Sequence, residues 1–277
     1  MKSETTDDIA ISNFDYPWED SVIIAFRDIQ WQLHIKSNQG GKIPPALLKF
    51  DGNAETQAAD AVTSHHSRFF LFEFKRSEAA IGSDMDKPMW KLFEVAIEHE
   101  KEAKVFRRLA NQCHHFAYSE KIETANGGKS ISMQLSSTSY YQAVKHKSKK
   151  IDANAPSATQ SSSIRSMPLL GLMEDPSMGL SFDKMCLYLE TLAKIVGDGD
   201  DAPIKCVVAS SDGFLWPVAT LKTFHRLAHL FDEAITNQQR EIQVLESDLT
   251  QFSTFYKGKQ NEELKNKKSS LSKPGVG

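Results

Sequence analysis

The chain has 277 residues, of which 40% are apolar and 25% charged, with a formal net charge of -3. That length suits one large domain, or a domain with an appended helical module, and the apolar share is enough for a true core. The slightly acidic balance excludes nucleic-acid binding by bulk charge, so any basic surface must be local.

The start, "MKSETTDDIAISNFDYPWED", is acidic and lacks an apolar h-region, so it does not read as a signal peptide. Residues 1 to 13 read as a loose tail. Pro17 then opens a helix, with Asp15 nearby as cap. Val22, Ile23, Phe26, Ile29 and Leu33 recur at helical spacing. Glu19 precedes Val22, Ile23 and Phe26 by one or two turns, which places it on the inward stripe.

"SNQGGKIPP" breaks that helix, and "ALLKFDG" reads as a short strand closed by Asp51-Gly52. "AADAVTS" and "RFFLFEFKR" read as two strands joined by a polar turn containing His65 and His66. After "SEAAIGSDMD", Pro88 opens a long helix with Asp86 as cap, predicted to run through about Asn111. Trp90, Phe93, Ile97, Val105 and Leu109 face inward along it. "CHHFAYSE" and "SISMQLS" read as short strands. The order is helix, three strands, helix, strand, an α/β layer arrangement.

Residues 145 to 166, "KHKSKKIDANAPSATQSSSIRS", are basic and then Ser/Ala-rich, and read as a flexible linker or insertion. Beyond them "SFDKMCLYLETLAKIV" reads as a helix and "IKCVVASSDGFLWPVATL" as a β-hairpin turning at Ser211-Asp212-Gly213. A long helical stretch runs from Leu221 to Tyr256. Its apolar positions keep no clean heptad, so it is expected to pack on the body. Residues 257 to 277 are Lys-rich and expected to be disordered. The divisions are therefore 14–144, an α/β core; 145–166, the linker; 167–256, a mainly helical part with a hairpin; and 257–277, the tail. There are three cysteines, Cys113, Cys186 and Cys206, far apart and without a CxxC pair. That argues against a disulfide framework and a zinc ribbon. No apolar run is long enough to span a membrane, so a cytoplasmic setting is expected.

Chemistry concentrates in "RFFLFEFKR". Strand side chains alternate, so Phe69, Leu71, Glu73 and Lys75 share one face while Phe70, Phe72 and Phe74 share the other. A strand apolar on both sides of Glu73 is covered on both faces, and burying two charges there needs a reason. If the turn is His65 to Arg68, Ser64 faces Phe69 and Asp60 falls opposite Glu73, with Cβ atoms roughly 4.5–5.5 Å apart. A turn of other length would shift the pairing, so the register stays open. Converging carboxylates repel unless a hard divalent cation neutralises them. Mg²⁺ or Mn²⁺ is such an ion, taking oxygen donors from protein, water and phosphate. It polarises a phosphodiester and lowers the pKa of a bound water, while Lys75 orients or deprotonates that water or stabilises developing charge.

Asp60 and the Glu73-Phe74-Lys75 triplet, each at a strand position, joined by a short hairpin and followed by a helix, resemble the PD-(D/E)XK nuclease superfamily. Glu19 resembles the additional helix acid of many members, although Ala59 stands where the family name puts Pro. The resemblance covers residues 15 to 120. It implies an αβββαβ restriction-endonuclease-like core with a mixed sheet flanked by helices, and divalent-metal dependence. It also implies a nuclease that hydrolyses nucleic acid, most often DNA. Asp60, Glu73 and Glu19 would hold the metal, and Lys75 would position water. A stand-alone nuclease of this kind would fit phage defence or a mobile element.

Other readings stand beside these. Glu73 and Lys75 also fit the solvated face of an edge strand, Asp51 rivals Asp60, and Glu19 also fits a first-turn acid favoured by the helix dipole. Lys101, Lys104, Arg107 and Arg108 form a basic stretch suited to phosphate contacts, or else to a solvated face paired with Glu98 and Glu102. Cys113-His114-His115 straddles a helix–strand junction, which sends neighbours to opposite faces and disfavours zinc. His115 or Gln112 would reach the cleft. The alternative from another class is a non-catalytic scaffold that binds a partner protein, or itself, through the C-terminal helices.

Overall fold

The computed structural model describes residues 16–36, 47–51, 59–65, 68–123, 131–151, 166–196, 205–209, 215–218 and 239–271. In chain order these form α1 (Glu19–Lys36), β1 (Leu47–Asp51), β2 (Ala61–His65), β3 (Arg68–Lys75), a 3₁₀ segment (Glu78–Asp84), α2 (Pro88–Glu98) and α3 (Lys104–Cys113). There follow β4 (His114–Glu123), β5 (Ile131–Ser139), α4 (Tyr140–Ile151), β6 (Met167–Pro168), α5 (Leu169–Glu174), α6 (Phe182–Val196), β7 (Lys205–Ala209), β8 (Leu215–Val218) and α7 (Gln239–Leu271).

The described strands make one mixed sheet in the order β6-β5-β4-β3-β2-β1-β7-β8. Its centre is β1 to β5. β1, β2 and β3 form an antiparallel meander. β4 lies parallel to β3, so the chain needs a crossover between them; the 3₁₀ segment, α2 and α3 supply it. The remaining strands dock antiparallel at the two edges, β6 on β5 and β7 on β1. The part after residue 166 thus extends the same sheet.

β3 is buried on both sides. Its even positions, Phe70, Phe72 and Phe74, pack with Val22 and Phe26 of α1, Ala117 of β4, and Leu169 and Leu172 of α5. Val22, Phe26 and Gln30 are buried at a spacing of one helical turn, and Gln30 Nε2 donates to Thr63 Oγ1 at 3.0 Å. The odd positions, Phe69 and Leu71, join the larger core with α2, α3, α4, α6 and α7. Leu245, Leu249, Phe252 and Tyr256 are the buried stripe of α7.

Gly179 closes the turn into α6 with φ +80°, and a Cβ there would lie 2.8 Å from Arg68 Cβ and Phe70 Cζ. Glycine alone fits that backbone and that space. Arg68 fastens the same loop through the carbonyls of Met173, Asp175 and Met178.

Several expectations need correction. The helix predicted through Asn111 ends at Glu98, and α3 begins only at Lys104. No Gly or Pro marks the break; the His99 ring instead meets Phe255 of α7, centroids 4.8 Å apart. Pro88 does take the first turn of α2, but the cap position is Lys87 with no side-chain bond, so Asp86 caps nothing. The basic start of the predicted linker is the end of α4, and its Ser/Ala-rich part lies outside the described residues. The Lys-rich tail is helical as far as Leu271, supported by good helix formers and by the Lys259–Glu262 pair at 3.8 Å. The predicted loose tail at residues 1 to 13, the hairpin turn at residues 211 to 213 and the first part of the last helical stretch lie outside the described residues. Among the described residues no helix is long and apolar enough to cross a membrane.

Candidate functional site

The β2–β3 register pairs Ser64 with Phe69 and Ala61 with Phe72, which sets Asp60 opposite Glu73. This is the pairing on which the sequence argument depended, and the ladder runs one pair further, to His65 and Arg68. The Asp60 backbone N–H donates to Phe72 O at 3.0 Å. Its carboxylate accepts the Phe74 N–H at 2.5 Å, so Asp60 is pinned across the hairpin. Asp60, Glu73 and Lys75 are all buried, on the face away from α1. The solvated edge-strand alternative does not hold.

Glu73 and Lys75 belong to a larger cluster. Lys75 Nζ stands 2.8 Å from Glu73 Oε1 and 3.1 Å from Asp84 Oδ1. Lys87 Nζ stands 2.5 Å from the same Glu73 oxygen and 3.1 Å from the same Asp84 oxygen. Two carboxylate oxygens and two ammonium groups therefore alternate in a closed ring. Asp84 comes from the end of the 3₁₀ segment and Lys87 from the cap position of α2. The crossover thus places its first turn over the odd face of β3.

Glu73 is buried near two further carboxylates, Asp60 and Asp84, and two ammonium groups, Lys75 and Lys87. Burial foremost, then the Asp60 carboxylate, pushes Glu73 up to about 8 against the pull of Lys75. Burial pulls Lys75 down, but Glu73 and Asp84 carry it above the ordinary lysine value. These shifts oppose each other, since a neutral Glu73 would remove what raises the lysines. Two ammonium groups on one Glu73 oxygen favour the ionised form, against the burial that raises its value. Tyr140, at the start of α4, has its hydroxyl pushed well above the usual range by burial and then by Glu73, Asp84 and Asp60. The Tyr140 hydroxyl and Asp84 Oδ2 are buried with no hydrogen-bond partner among the described residues.

Glu19 is not part of this cluster. It is exposed in the first turn of α1, as are Asp20 and Ser21, with Trp18 just before them exposed too, and α1 covers the opposite face of the sheet. Helical period aligns Glu19 with Val22, but the covered part of the helix begins only at Val22. An acid at that end suits the free N–H groups and the helix dipole.

His115 and Gln112 also lie elsewhere. The His115 ring meets Phe72 on the α1 side at 6.3 Å, and the Gln112 side chain donates to Ser177 O at 3.4 Å. His114 is on the cluster's side, bonded to the Tyr188 hydroxyl at 3.0 Å. Lys101, Lys104 and Arg108 are exposed. Arg107 pairs with Glu100 at 3.2 Å and lies 4.8 Å over the Tyr141 ring, so Glu100, rather than Glu98 or Glu102, is its acid.

Asp84, Lys87 and Tyr140 escaped the sequence reading. The only local signal was the Asp84–Lys87 spacing within "SDMDK", next to a Pro-initiated helix.

Among the described residues no three His, Cys, Asp or Glu side chains stand arranged to hold one metal ion; the two ammonium groups occupy the space between Glu73 and Asp84. Carboxylate oxygens are the donors a hard cation takes, but Glu73 Oε1 and Asp84 Oδ1 are each already held by two ammonium groups. Fold and cluster define an α/β protein with a mixed sheet and a buried acid–lysine knot on its central strand. No protein-family model, no curated protein and no solved structure gives a significant match to the chain.

Proposed function

We propose that the protein is a divalent-metal-dependent nuclease of the PD-(D/E)XK type, with DNA as its first-choice substrate. The observation that carries this reading is the burial of Asp60, Glu73 and Lys75 together on one face of a β-hairpin. The helix, three-strand meander, helical crossover and parallel fourth strand over residues 19–123 also support it. Asp60 and Glu73 would hold Mg²⁺ or Mn²⁺; Glu19 has no part in it. When bound, the ion supplies Lewis acidity and a bound water of lowered pKa.

The chain's own residues do the rest. Asp60, fixed through the Phe74 amide, and Glu73, opposite it across the hairpin, would supply the oxygen donors. Lys75, buried between Glu73 and Asp84, keeps its proton and offers a positive charge where a phosphorane would develop negative charge. The aromatic and aliphatic walls from Leu71, Phe116 and Tyr140 exclude bulk water, which strengthens these interactions.

A second reading is favoured by one observation. Glu73 and Asp84 are each already neutralised by two lysines, which suits a structural ion-pair knot in a non-catalytic binding protein. One assay separates the two. Purified protein is incubated with plasmid, linear duplex, single-stranded DNA and RNA, with Mg²⁺, Mn²⁺ or EDTA. The nuclease reading expects metal-dependent cutting that disappears in Asp60→Ala and Lys75→Ala. Cutting that survives both changes, or no cutting of any substrate, removes it.

A further inference from the structure

α1 carries apolar residues on two sides. Val22, Phe26 and Gln30 are buried one turn apart, where the helix packs on β3 and β4. By helical period a second row, Ile24, Asp28, Trp31 and Ile35, runs along the opposite side of the axis. Ile24 is 61% exposed, Trp31 42% and Ile35 70%, and Asp28 is exposed between them. A helix that serves only to cover a sheet carries polar residues on that side. Three large apolar side chains within about 16 Å of helix mark a surface that meets another.

The row has the form of a coiled-coil seam. Its spacings are four, three and four residues, those of alternating d and a positions. The same spacings read backwards, so the row fits a second copy of itself laid antiparallel. In that arrangement Ile24 meets Ile35 of the second copy at both ends. Asp28 meets Trp31 of the second copy on each side of the two-fold axis. An indole N–H donates and a carboxylate accepts, so the one polar residue of the row finds its partner in the row itself. A polar residue at a single a position fixes register in this way. The Arg27 guanidinium, 5.7 Å from the Trp31 ring, brings positive charge to the place where Asp28 of the second copy would lie. Lipid and nucleic acid suit the row less well, because Asp28 stands within it and Glu19 and Asp20 open the helix, and acids repel phosphate.

We propose that the outer face of α1 is a homodimer interface. Two α1 helices pack antiparallel about a two-fold axis, Ile24 against Ile35 and Asp28 against Trp31. α1 covers the phenylalanine side of β3, so the pair forms away from Glu73 and Lys75. The proposal therefore goes beyond the nuclease reading and does not depend on it. The contact is a single 18-residue helix on its copy, smaller than a standard interface, and a Kd on the order of 10 μM is expected.

The test is sedimentation equilibrium of the full chain over a concentration series, with thermal melts of each variant. Wild type should pass from monomer to dimer as concentration rises. Ile24→Glu and Ile35→Lys should each weaken the dimer by about tenfold or more, because symmetry repeats every lost contact. The melting temperature of the dilute protein should not fall, since neither side chain is in the core. Mixing these two variants should restore a dimer that neither forms alone. One end of the mixed pair sets the new carboxylate against the new ammonium, and the other end keeps Ile24 against Ile35. Mixing Ile24→Glu with Ile24→Lys should restore nothing, because position 24 does not meet itself. Ile122→Lys, at an exposed isoleucine of β4, should leave the dimer unchanged. If a charged variant does not fold, Ile24→Gln and Ile35→Gln measure the same loss.

The idea is overturned if wild type stays monomeric at concentrations far above that Kd, or if it dimerises and the Ile24 and Ile35 variants dimerise as well as it does. It is overturned too if the Ile24→Glu and Ile35→Lys mixture gains nothing, or if the mixture of the two Ile24 variants is the one rescued, which makes the pairing parallel. A monomer that binds phosphatidylcholine vesicles, and loses that binding in Ile24→Glu, makes the row a membrane contact instead.

Discussion

On one face of β3, Phe70, Phe72 and Phe74 meet rings and aliphatic chains from α1, α5 and β4. On the other face Glu73 and Lys75 are as deeply buried, but each needs named partners, and those come from a 3₁₀ segment and a helix start further along the chain. The first face is held by area and shape, so it tolerates changes that preserve volume. The second is held by charge balance, so it responds to the removal of a single atom group. A single strand can carry both because alternation keeps the two environments apart.

The largest stability effect should fall on the apolar face. Phe72→Ala opens a cavity between Phe26, 5.7 Å away ring to ring, and Phe70, 6.0 Å away. A loss of about 3–5 kcal/mol is expected, read as a fall in the urea midpoint with an unchanged slope. If the protein cuts nucleic acid as proposed, activity per folded molecule should stay within about twofold of wild type. A comparable fall in activity would mean that the two faces are not independent.

On the charged face, Lys75→Met leaves Glu73 and Asp84 with the single Lys87 ammonium and should cost about 3 kcal/mol. Pairing it with Glu73→Gln removes the stranded charge. The double variant should recover about 1–3 kcal/mol relative to the sum of the single changes. Additivity in chemical denaturation would show that the Lys75–Glu73 contact at 2.8 Å carries no coupling. If the nuclease proposal holds, activity is lost in all three variants.

Much of this division is legible in the sequence. The period-two pattern of "RFFLFEFKR" fixes which residues share a face, and the turn placement gives the Asp60–Glu73 pairing that the ladder shows. Helix starts at proline are equally local, as with Pro88. Asp84 and Lys87 were not legible, because their approach to Glu73 depends on how the crossover folds back over the sheet. No propensity encodes that path. Glu19 failed for the converse reason: helical period gives an angle around the axis, but not where along the axis the covering layer begins. The break at His99 has no local mark either, and the His99 ring meets Phe255 of α7, far away in the chain.

Acid should separate the faces again. Burial holds His115, on the phenylalanine side, down at about 4, against the pull of the Gln112 and Thr138 backbone. An unfolded histidine titrates near 6.5. Because the folded value is the lower one, the unfolded chain takes up the proton first. Stability is then fully present above about pH 6.5, falls as pH drops toward 4, and levels off below it. The loss from this residue is at most about 3 kcal/mol. His115→Gln should flatten that part of a stability–pH curve measured by urea denaturation. A curve unchanged by the substitution would move the acid sensitivity to other groups, His114 first among them, which burial also holds well below its usual range.

The smallest effects should come from the basic side of α3, which belongs to neither face of the sheet. Lys104 and Arg108 are exposed, so Lys104→Ala and Arg108→Ala should change stability by less than about 0.5 kcal/mol. Arg107→Ala should cost somewhat more, up to about 1 kcal/mol, because its pair with Glu100 is partly exposed while its contact with the Tyr141 ring is lost as well. If nucleic acid lies along this helix, Lys104 and Arg108 meet phosphates without reading sequence. Each alanine change should then weaken binding to every duplex alike and lower the slope of log affinity against log salt by about one. The measurement is a fluorescence-anisotropy titration at several salt concentrations, in EDTA so that nothing is cut. Unchanged slopes for both variants would make this stretch an ordinary solvated face and send the search for a phosphate-binding surface elsewhere.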